Sequence, residues 1–226
     1  MLIGAVADIH GNFDALDRAM SRHADVSLWL CVGDLASAAG AYPMPRARLY
    51  FIKGNNENFT RLAEWQQGNG EPMPNLQFIP NGTAVTVGPL TVAGLGGTFA
   101  PTMYDTPPEQ LPHTPSNDRR RHFVRVEVEA CKRLRGVDIF MTHEAPRPFI
   151  IADEERPGRP ARRRDAGKPA INEALVAMKP RLHLCGHHHR FIEGTREGVR
   201  SVCIDAIDRS YLLIDGDTLG YEKIDQ

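Results

Sequence analysis

The segment LIGAVADIHGN, residues 2–12, places a run of apolar residues directly before an aspartate and a histidine. Residues 2–7 form a short, almost continuously apolar run, which is typical of a strand buried on both faces of a sheet. The chain then turns through polar residues into residues 13–22, whose apolar spacing predicts a helix. Because α/β proteins alternate buried strands with helices, this opening predicts an α/β fold.

The same order, an apolar strand followed at once by a polar residue, recurs along the chain. Residues 26–32, 49–52, 138–141 and 182–185 predict four further strands of this kind. In an open α/β sheet the loops at the carboxyl ends of the strands line one crevice, so the polar residues that follow these strands are expected to converge. These residues are Asp8, His10, Asp34, Asn55, His143, His187 and His189.

Further β-structure and two long loops are predicted between these strands. Residues 76–79, 83–87 and 90–93, separated by turn residues, predict three consecutive antiparallel strands. Residues 94–118 and 144–169 contain many prolines and predict loops, which are often functional when they are this long.

Two more helices are predicted at residues 119–135 and 170–178, and four short strands after residue 190 predict a meander. No low-complexity linker divides the 226 residues into two halves, so a single domain over residues 1–226 is predicted.

Composition excludes several classes of protein. A formal net charge of −1 argues against a globally cationic nucleic-acid binder. The first residues lack the basic start of a signal peptide, and no apolar run approaches the roughly 20 residues of a membrane span. The four cysteines are widely spaced and predict buried thiols rather than disulfides or a zinc cluster. We therefore expect a soluble cytoplasmic protein with no membrane partner.

The converging polar residues have the chemistry of metal ligands. Mixed oxygen and imidazole donors suit Mn²⁺, Fe or Zn²⁺ better than Ca²⁺, and seven donors are too many for one ion but fit two ions that share a carboxylate. Each motif alone also has a structural interpretation, as a turn, a hydrogen-bonded histidine or a surface patch. In an extended GHHH segment, however, the first and third histidines would point the same way, as ligands of one site must.

The ordered motifs ADIHGN, VGDL, KGNNEN, MTHE and CGHHH resemble the calcineurin-like metallophosphoesterase superfamily, whose pattern is D-x-H, G-D, G-N-H-D/E, H and G-H-x-H. The resemblance spans residues 8–189 and implies a four-layer αββα sandwich of two mixed sheets flanked by helices. It implies a phosphoesterase with two divalent transition-metal ions, Mn²⁺ first and Fe or Zn²⁺ as alternatives. The implied ligands are Asp8, His10 and His189 for one ion and Asn55, His143 and His187 for the other, with Asp34 as the bridge.

One position departs from that pattern. Two such ions lower the pKa of a bridging water, and Asp34, Asn55 and His143 would be the catalytic residues around the hydroxide that attacks phosphorus. The family's next residue is a histidine that donates a proton to the leaving group, but here it is Asn56, whose amide does not titrate in the useful range. A branch of the superfamily in which this histidine is replaced has phosphodiesterase activity, so the resemblance favours diesters.

A looser resemblance points to nucleic acid. Segments such as PRARLYFIKGNNEN, GLGGTFAPTMY and DIFMTHEAPRPF look like the RNA lariat debranching enzymes and their relatives, which attack a 2′,5′-phosphodiester. A nucleotide or nucleic-acid diester is therefore an expected substrate. The candidate substrate contacts are Asn12, Asn56, Arg162, Arg163 and Arg164.

Alternatives remain open at this point. The arginine run is also consistent with a solvated surface beside acidic neighbours. His113 and His122 are candidates for the missing proton donor or are structural. The chain is alternatively a phosphomonoesterase, including a protein phosphatase, or a catalytically weak, metal-bound nucleic-acid adaptor.

Overall fold

Two six-stranded sheets form the centre of the protein in the computed structural model, which describes residues 1–26, 28–114, 116–152 and 163–226. Four α-helices are found among these residues: α1 (Phe13–Arg22), α2 (Phe59–Gln66), α3 (Arg125–Arg133) and α4 (Pro169–Met178).

The first sheet is parallel on one side and antiparallel on the other. Numbered in chain order, its strands are β1 (Leu2–Val6), β2 (Leu28–Cys31), β3 (Arg48–Phe51), β4 (Leu76–Phe78), β17 (Ser210–Asp215) and β18 (Tyr221–Asp225). They lie in the order β18-β17-β1-β2-β3-β4, with β1 to β4 parallel and the β17–β18 hairpin antiparallel to β1.

The second sheet has a parallel centre with an antiparallel strand at each edge. Its strands are β5 (Thr83–Val87), β6 (Leu90–Leu95), β11 (Ile139–Thr142), β14 (Leu182–Cys185), β15 (Ile192–Arg196) and β16 (Val199–Cys203). The order is β15-β16-β14-β11-β6-β5. Both sheets are therefore mixed.

The predicted long loops contain short strand pairs. Residues 94–118 and the segment after them include β7 (Thr98–Phe99), β8 (His113–Thr114), β9 (Asn117–Asp118) and β10 (His122–Phe123), in which β7 pairs with β10 and β8 with β9. In the second loop β12 (Ile150–Ala152) pairs with β13 (Arg163–Asp165).

Alternation along the central strands sends side chains to both faces of each sheet. In β2, Leu28 and Leu30 lie in the core between the sheets, whereas Trp29 and Cys31 lie in a second core with α1 and α2. In β11, Ile139 and Met141 face the central core, and Phe140 packs in a third core with α3 and α4. The layers are thus helices, sheet, sheet and helices, which confirms the predicted four-layer αββα sandwich.

The prediction of three consecutive antiparallel strands is wrong for its first member. β5 and β6 form the expected antiparallel hairpin, but β4 runs parallel to β3 in the other sheet. Phe78 of β4 packs against Phe51 with ring centroids 5.3 Å apart, and this aromatic contact lies in the outer core of the first sheet. The connection after Phe78 crosses between the sheets.

The predicted helix at residues 119–135 is shorter and begins later. Arg119–Arg121 form a 3₁₀ turn, where the Asp118 carboxylate accepts a hydrogen bond from the Arg120 N–H at 3.0 Å. β10 follows, and α3 begins only at Arg125, where Glu127 accepts the Val124 N–H at 2.9 Å. Capping and strand pairing therefore override helix propensity here.

The end of the chain is not one meander. The hairpin of β15 and β16 belongs to the second sheet, and the chain then returns to the first sheet to form the hairpin of β17 and β18. All four cysteines are buried free thiols, as predicted. No helix in the described parts of the chain is both long and apolar enough to cross a membrane.

Candidate metal centre

The seven predicted ligands all lie just beyond the carboxyl ends of strands. Three of these strands, β1, β2 and β3, belong to the first sheet, and two, β11 and β14, belong to the second. The site is therefore built where the carboxyl ends of both sheets meet, as the strand pattern predicts.

Asp8, His10 and His189 form the first cluster. The His10 and His189 Nε2 atoms are 3.2 Å apart, and Asp8 Oδ1 lies 3.6 Å from His189 Nε2 and 3.9 Å from His10 Nε2. Asp8 is buried; its Oδ2 accepts the His187 N–H at 2.8 Å, but its Oδ1 has no hydrogen-bond partner among the described residues. An unpaired buried carboxylate oxygen beside two imidazole nitrogens fits a divalent cation.

Asp34, Asn55, His143 and His187 form the second cluster. His143 Nε2 is 3.5 Å from Asp34 Oδ2 and 3.0 Å from Asn55 Oδ1, and the rings of His143 and His187 are 4.9 Å apart. The His143 Nδ1–H donates to the Val32 carbonyl at 2.9 Å. This bond orients the ring so that Nε2 faces the cluster, which is how histidine ligands of metals are commonly held.

Asp34 links the two clusters. Its Oδ2 lies 3.6 Å from His10 Nε2 and 3.5 Å from His143 Nε2, so the same oxygen faces both. The donor sets of both clusters combine carboxylate oxygen with imidazole nitrogen, which suits divalent transition metals. The residues present therefore fit two ions that share one carboxylate.

The backbone is left-handed at most of these positions. Such φ values are costly for residues other than glycine and cluster at functional sites. The predicted ligands with positive φ are Asp8 (50°), His10 (48°), Asp34 (55°), His187 (68°) and His189 (48°). The prediction that the GHHH segment is extended is therefore wrong. Its first histidine, His187, lies in the second cluster and its third, His189, in the first.

Two glycines make room for the ligands. A Cβ on Gly54 would overlap the Asp34 carboxylate, and a Cβ on Gly33 would lie 2.7 Å from His143 Nδ1. Gly33 also has a φ of +102°, which favours glycine. The glycines of the G-D and G-N motifs thus allow the two loops to approach each other.

Buried charges at the second cluster are mutually compensating. Burial by itself would raise the pKa of Asp34, but the adjacent His143 and hydrogen bonds from Asn56 hold it well below its usual value. Burial would lower the pKa of His143, but Asp34 raises it to about 10. Burial and the neighbouring His143 lower the pKa of His187 to about 4. A divalent cation here would take the place of the His143 proton.

His188 is outside both clusters, consistent with the prediction that it is not a ligand. Its ring stacks on Phe149 at 4.5 Å, and its Nε2 is 3.8 Å from Glu144 Oε2.

Glu57 connects the ligand loops, which are the segments after β2 and β3 that carry Asp34 and Asn55. This role was not predicted from the sequence. Its carboxylate accepts the N–H groups of Leu35 at 3.0 Å, Ala36 at 3.3 Å and Gly54 at 3.3 Å. The acidic residue at the end of the G-N-H-D/E pattern is the signal that could have identified this position.

The family comparison agrees with this geometry. A model of the calcineurin-like phosphoesterase superfamily domain matches residues 1–204. The chain belongs to this superfamily. Calcineurin-like phosphoesterases use divalent metals, and the two clusters are the possible sites for them here.

Individual proteins show further similarity. The chain is 28% identical over 202 residues to a lariat debranching enzyme of Schizosaccharomyces pombe, covering 80% of this chain and 42% of that enzyme's length. Protein TT1561 of Thermus thermophilus has a similar structure, with a TM-score of 0.66 and 15% identity over 99% of this chain and 98% of that one. An archaeal phosphodiesterase matches over 100% of both chains, with a TM-score of 0.53 and 13% identity. These two structures support the calcineurin-like fold.

A cleft of about 640 Å³ adjoins the second cluster. Its lining combines the loop after β2, the segment from Asn55 to the start of α2, and the β8–β9 hairpin with the 3₁₀ turn after it. Arg120 and Arg121 lie on its wall; Arg120 Nη2 donates to Asp118 Oδ2 at 2.6 Å and to Thr60 Oγ1 at 3.1 Å. Both arginines belong to the segment that was predicted to be helical.

The predicted substrate contacts are dispersed. Asn56 is on the cleft, but its amide is bonded to Asp34. Asn12 caps α1, accepting the Ala15 N–H at 3.3 Å. Arg163 and Arg164 lie on β13 and are not among the cleft-lining residues, and Arg162 is outside the described residues.

The two candidate proton donors are separated by the fold. His122 is buried on β10, with Nδ1 3.0 Å from Thr98 Oγ1, and burial together with Arg119 lowers its pKa. His113 lies on β8 and is among the residues that line the cleft, as is Asn56. Only His113 of the two is therefore placed on the cleft.

Proposed function

We propose that this calcineurin-like phosphoesterase is a dinuclear metal-dependent phosphodiesterase that hydrolyses a phosphodiester of a nucleotide or nucleic acid. The observation that carries the proposal is the pair of ligand clusters joined by Asp34, next to a cleft on which Asn56 replaces the family's histidine.

The proposed cofactors are two divalent ions, Mn²⁺ first and Fe or Zn²⁺ as alternatives. When bound, they would activate the attacking water and neutralise charge on the phosphoryl oxygens. Asp8, His10 and His189 would hold one ion and Asn55, His143 and His187 the other. Asp34 would hold both, since one of its oxygens faces both clusters.

Asn56 favours diesters because its amide is neutral. A phosphate monoester carries between one and two negative charges near neutral pH, since its second pKa is about 6, whereas a diester carries one. Replacing a histidine, which can be protonated, by an amide removes both a positive charge and a proton donor at this position. The replacement should therefore slow the hydrolysis of a monoester more than the hydrolysis of a diester.

A nucleic-acid or nucleotide substrate is supported by sequence similarity and by charge. The 28% identical relative is a lariat debranching enzyme. Arg120 and Arg121 lie on the cleft wall, and guanidinium groups bind phosphate oxygens in a forked geometry. Because the Arg120 guanidinium is paired with Asp118, Arg121 is the stronger candidate for a phosphate contact. The 640 Å³ cleft has room for a nucleotide-sized group beside the second cluster.

The test compares a nitrophenyl phosphate monoester with the matching bis-nitrophenyl diester, each with Mn²⁺ and with chelator. We expect Mn²⁺-dependent hydrolysis that favours the diester and is abolished in Asp34→Asn. Asp25→Asn, in the exposed turn after α1, is the matched control and retains activity.

Two other results would replace the proposal. A preference for the monoester would identify a phosphomonoesterase. Two bound ions without turnover of either ester would indicate a metal-bound nucleic-acid adaptor.

A further inference from the structure

His113 is held by a hairpin at the wall of the cleft. On β8 it pairs across the hairpin with Asp118 of β9, and the chain continues directly into Arg120 and Arg121 on the same wall. Its side chain is exposed to solvent. The cleft-lining residues also include Asn55 and Asn56, so His113 and the second cluster face one space.

Only one of the two ring nitrogens of His113, Nδ1, is hydrogen-bonded within the described part of the protein. Nδ1 lies 3.1 Å from the Leu111 carbonyl oxygen, which can only accept, so Nδ1 carries a hydrogen. Nε2 makes no hydrogen bond to a described residue and is therefore the nitrogen that is free to contact a bound substrate. An imidazole can carry a hydrogen on each ring nitrogen, so a histidine whose Nδ1 is already bonded can pass a proton from Nε2 to a bound group.

The other ionisable side chains that line the cleft are bonded to groups within the protein. Glu57 is bonded to three backbone N–H groups of the ligand loops. Asp118 is paired with Arg120, and arginines do not release protons at ordinary pH. Of the described residues that line the cleft, His113 is left to exchange a proton with a bound substrate.

We propose that His113 donates the proton to the leaving oxygen, in place of the histidine that Asn56 replaces. This inference rests on the proposed phosphodiesterase activity. The oxygen of a water molecule forms a bond to phosphorus, and the bond from phosphorus to the leaving oxygen breaks with its electron pair going to that oxygen. The proton on His113 Nε2 moves to the leaving oxygen, and the proton lost by the water returns through solvent to the ring.

The test varies the leaving group. A series of diesters shares one ester group and has leaving groups from nitrophenol to simple alcohols, and His113→Gln is compared with the unchanged protein. We expect turnover of the alkyl esters to fall about 100-fold or more in His113→Gln, within the range of general acid catalysis, while the nitrophenyl ester changes less than about threefold. Nitrophenolate leaves without protonation.

Asn117→Ala, on the same hairpin but not among the cleft-lining residues, is the matched control. It should follow the unchanged protein across the whole series. Long-range nitrogen NMR of the imidazole adds a readout independent of turnover, in which neutral His113 should carry its hydrogen on Nδ1.

Three results would overturn the inference. Equal losses for all leaving groups in His113→Gln would indicate a role in binding alone, and no loss would exclude any role in turnover. A neutral ring protonated on Nε2 would contradict the geometry. Any of these results leaves the proposed phosphodiesterase activity intact, provided that the unchanged protein hydrolyses the nitrophenyl diester. If the unchanged protein hydrolyses no diester, both the phosphodiesterase activity and the role of His113 are wrong.

Discussion

Asn56 donates two hydrogen bonds to Asp34, one to each carboxylate oxygen. Its backbone N–H reaches Oδ1 at 2.8 Å and its side-chain amide reaches Oδ2 at 2.8 Å. Because Asp34 Oδ2 faces both ligand clusters, Asn56 orients the carboxylate that links them. The residue that departs from the family pattern is thus bonded to the residue that links the two candidate metal-binding clusters.

Asn56→Ala should weaken metal binding without removing a ligand. Loss of the amide N–H frees the Asp34 carboxylate to rotate, and changes to such supporting bonds typically cost about 10–100-fold in metal affinity. Titration calorimetry with Mn²⁺ measures the change. Asn69→Ala, in the turn after α2, is the control. Equal affinities for the two variants would show that Asn56 does not position Asp34.

Gly54→Ala should disrupt the centre by steric overlap. The new Cβ would occupy the position of the Asp34 carboxylate, so the loop or the carboxylate must move. We expect a loss of Mn²⁺ affinity of about 100-fold or more, larger than the loss of a supporting bond causes. Gly220→Ala is the control, because its Cβ would meet only the Thr218 hydroxyl at 3.2 Å. Normal affinity in Gly54→Ala would contradict the close approach of the two loops.

Metal binding should release protons at neutral pH. The pKa of His143 is raised to about 10 by Asp34, so the metal-free protein holds a proton on Nε2 that an ion must displace. Raising the pH toward 10 should therefore strengthen binding at the second cluster, by up to about tenfold per pH unit for one proton. Calorimetry in two buffers with different ionisation enthalpies counts the protons. Identical heats in both buffers would refute the prediction.

Buried His183 should make the metal-free protein sensitive to acid. It lies between Thr142 Oγ1 at 2.8 Å and Ser201 Oγ at 3.1 Å, and burial lowers its pKa from 6.5 to about 3. Between these values the unfolded chain binds a proton that the folded chain does not, so stability falls as the pH falls. This group alone should lower the free energy of unfolding by about 2 kcal/mol between about pH 7 and about pH 5.

The measurement is urea unfolding at several pH values with chelator present. His183→Gln should show a flatter dependence of the unfolding free energy on pH than the unchanged protein. The same slope in both proteins would mean that His183 is protonated in the folded state.

The positions of the candidate site residues were largely predictable from sequence because these residues follow buried strands. Apolar runs such as those at β1 and β14 mark strand ends within one or two residues, and the next polar residues are the predicted ligands. Strand ends of parallel sheets meet at one edge, so Asp8 and His189 were expected together although 181 positions separate them in the sequence.

Long-range packing decided the features that sequence did not predict. The local sequence of β4 does not indicate which sheet the strand joins. In the structure β4 pairs with β3, and Phe78 packs against Phe51. His187 and His189 have a left-handed backbone, which the apolar strand pattern before them does not predict. Arg120 and Arg121 reach the cleft because pairing of β10 with β7 ends the helix pattern.

Anomalous diffraction at the manganese edge from Mn²⁺-soaked crystals tests the two-ion centre most directly. We predict two peaks, one among Asp8, His10 and His189 and one among Asn55, His143 and His187, with Asp34 between them. A single peak, or peaks away from these residues, would contradict a dinuclear centre bridged by Asp34.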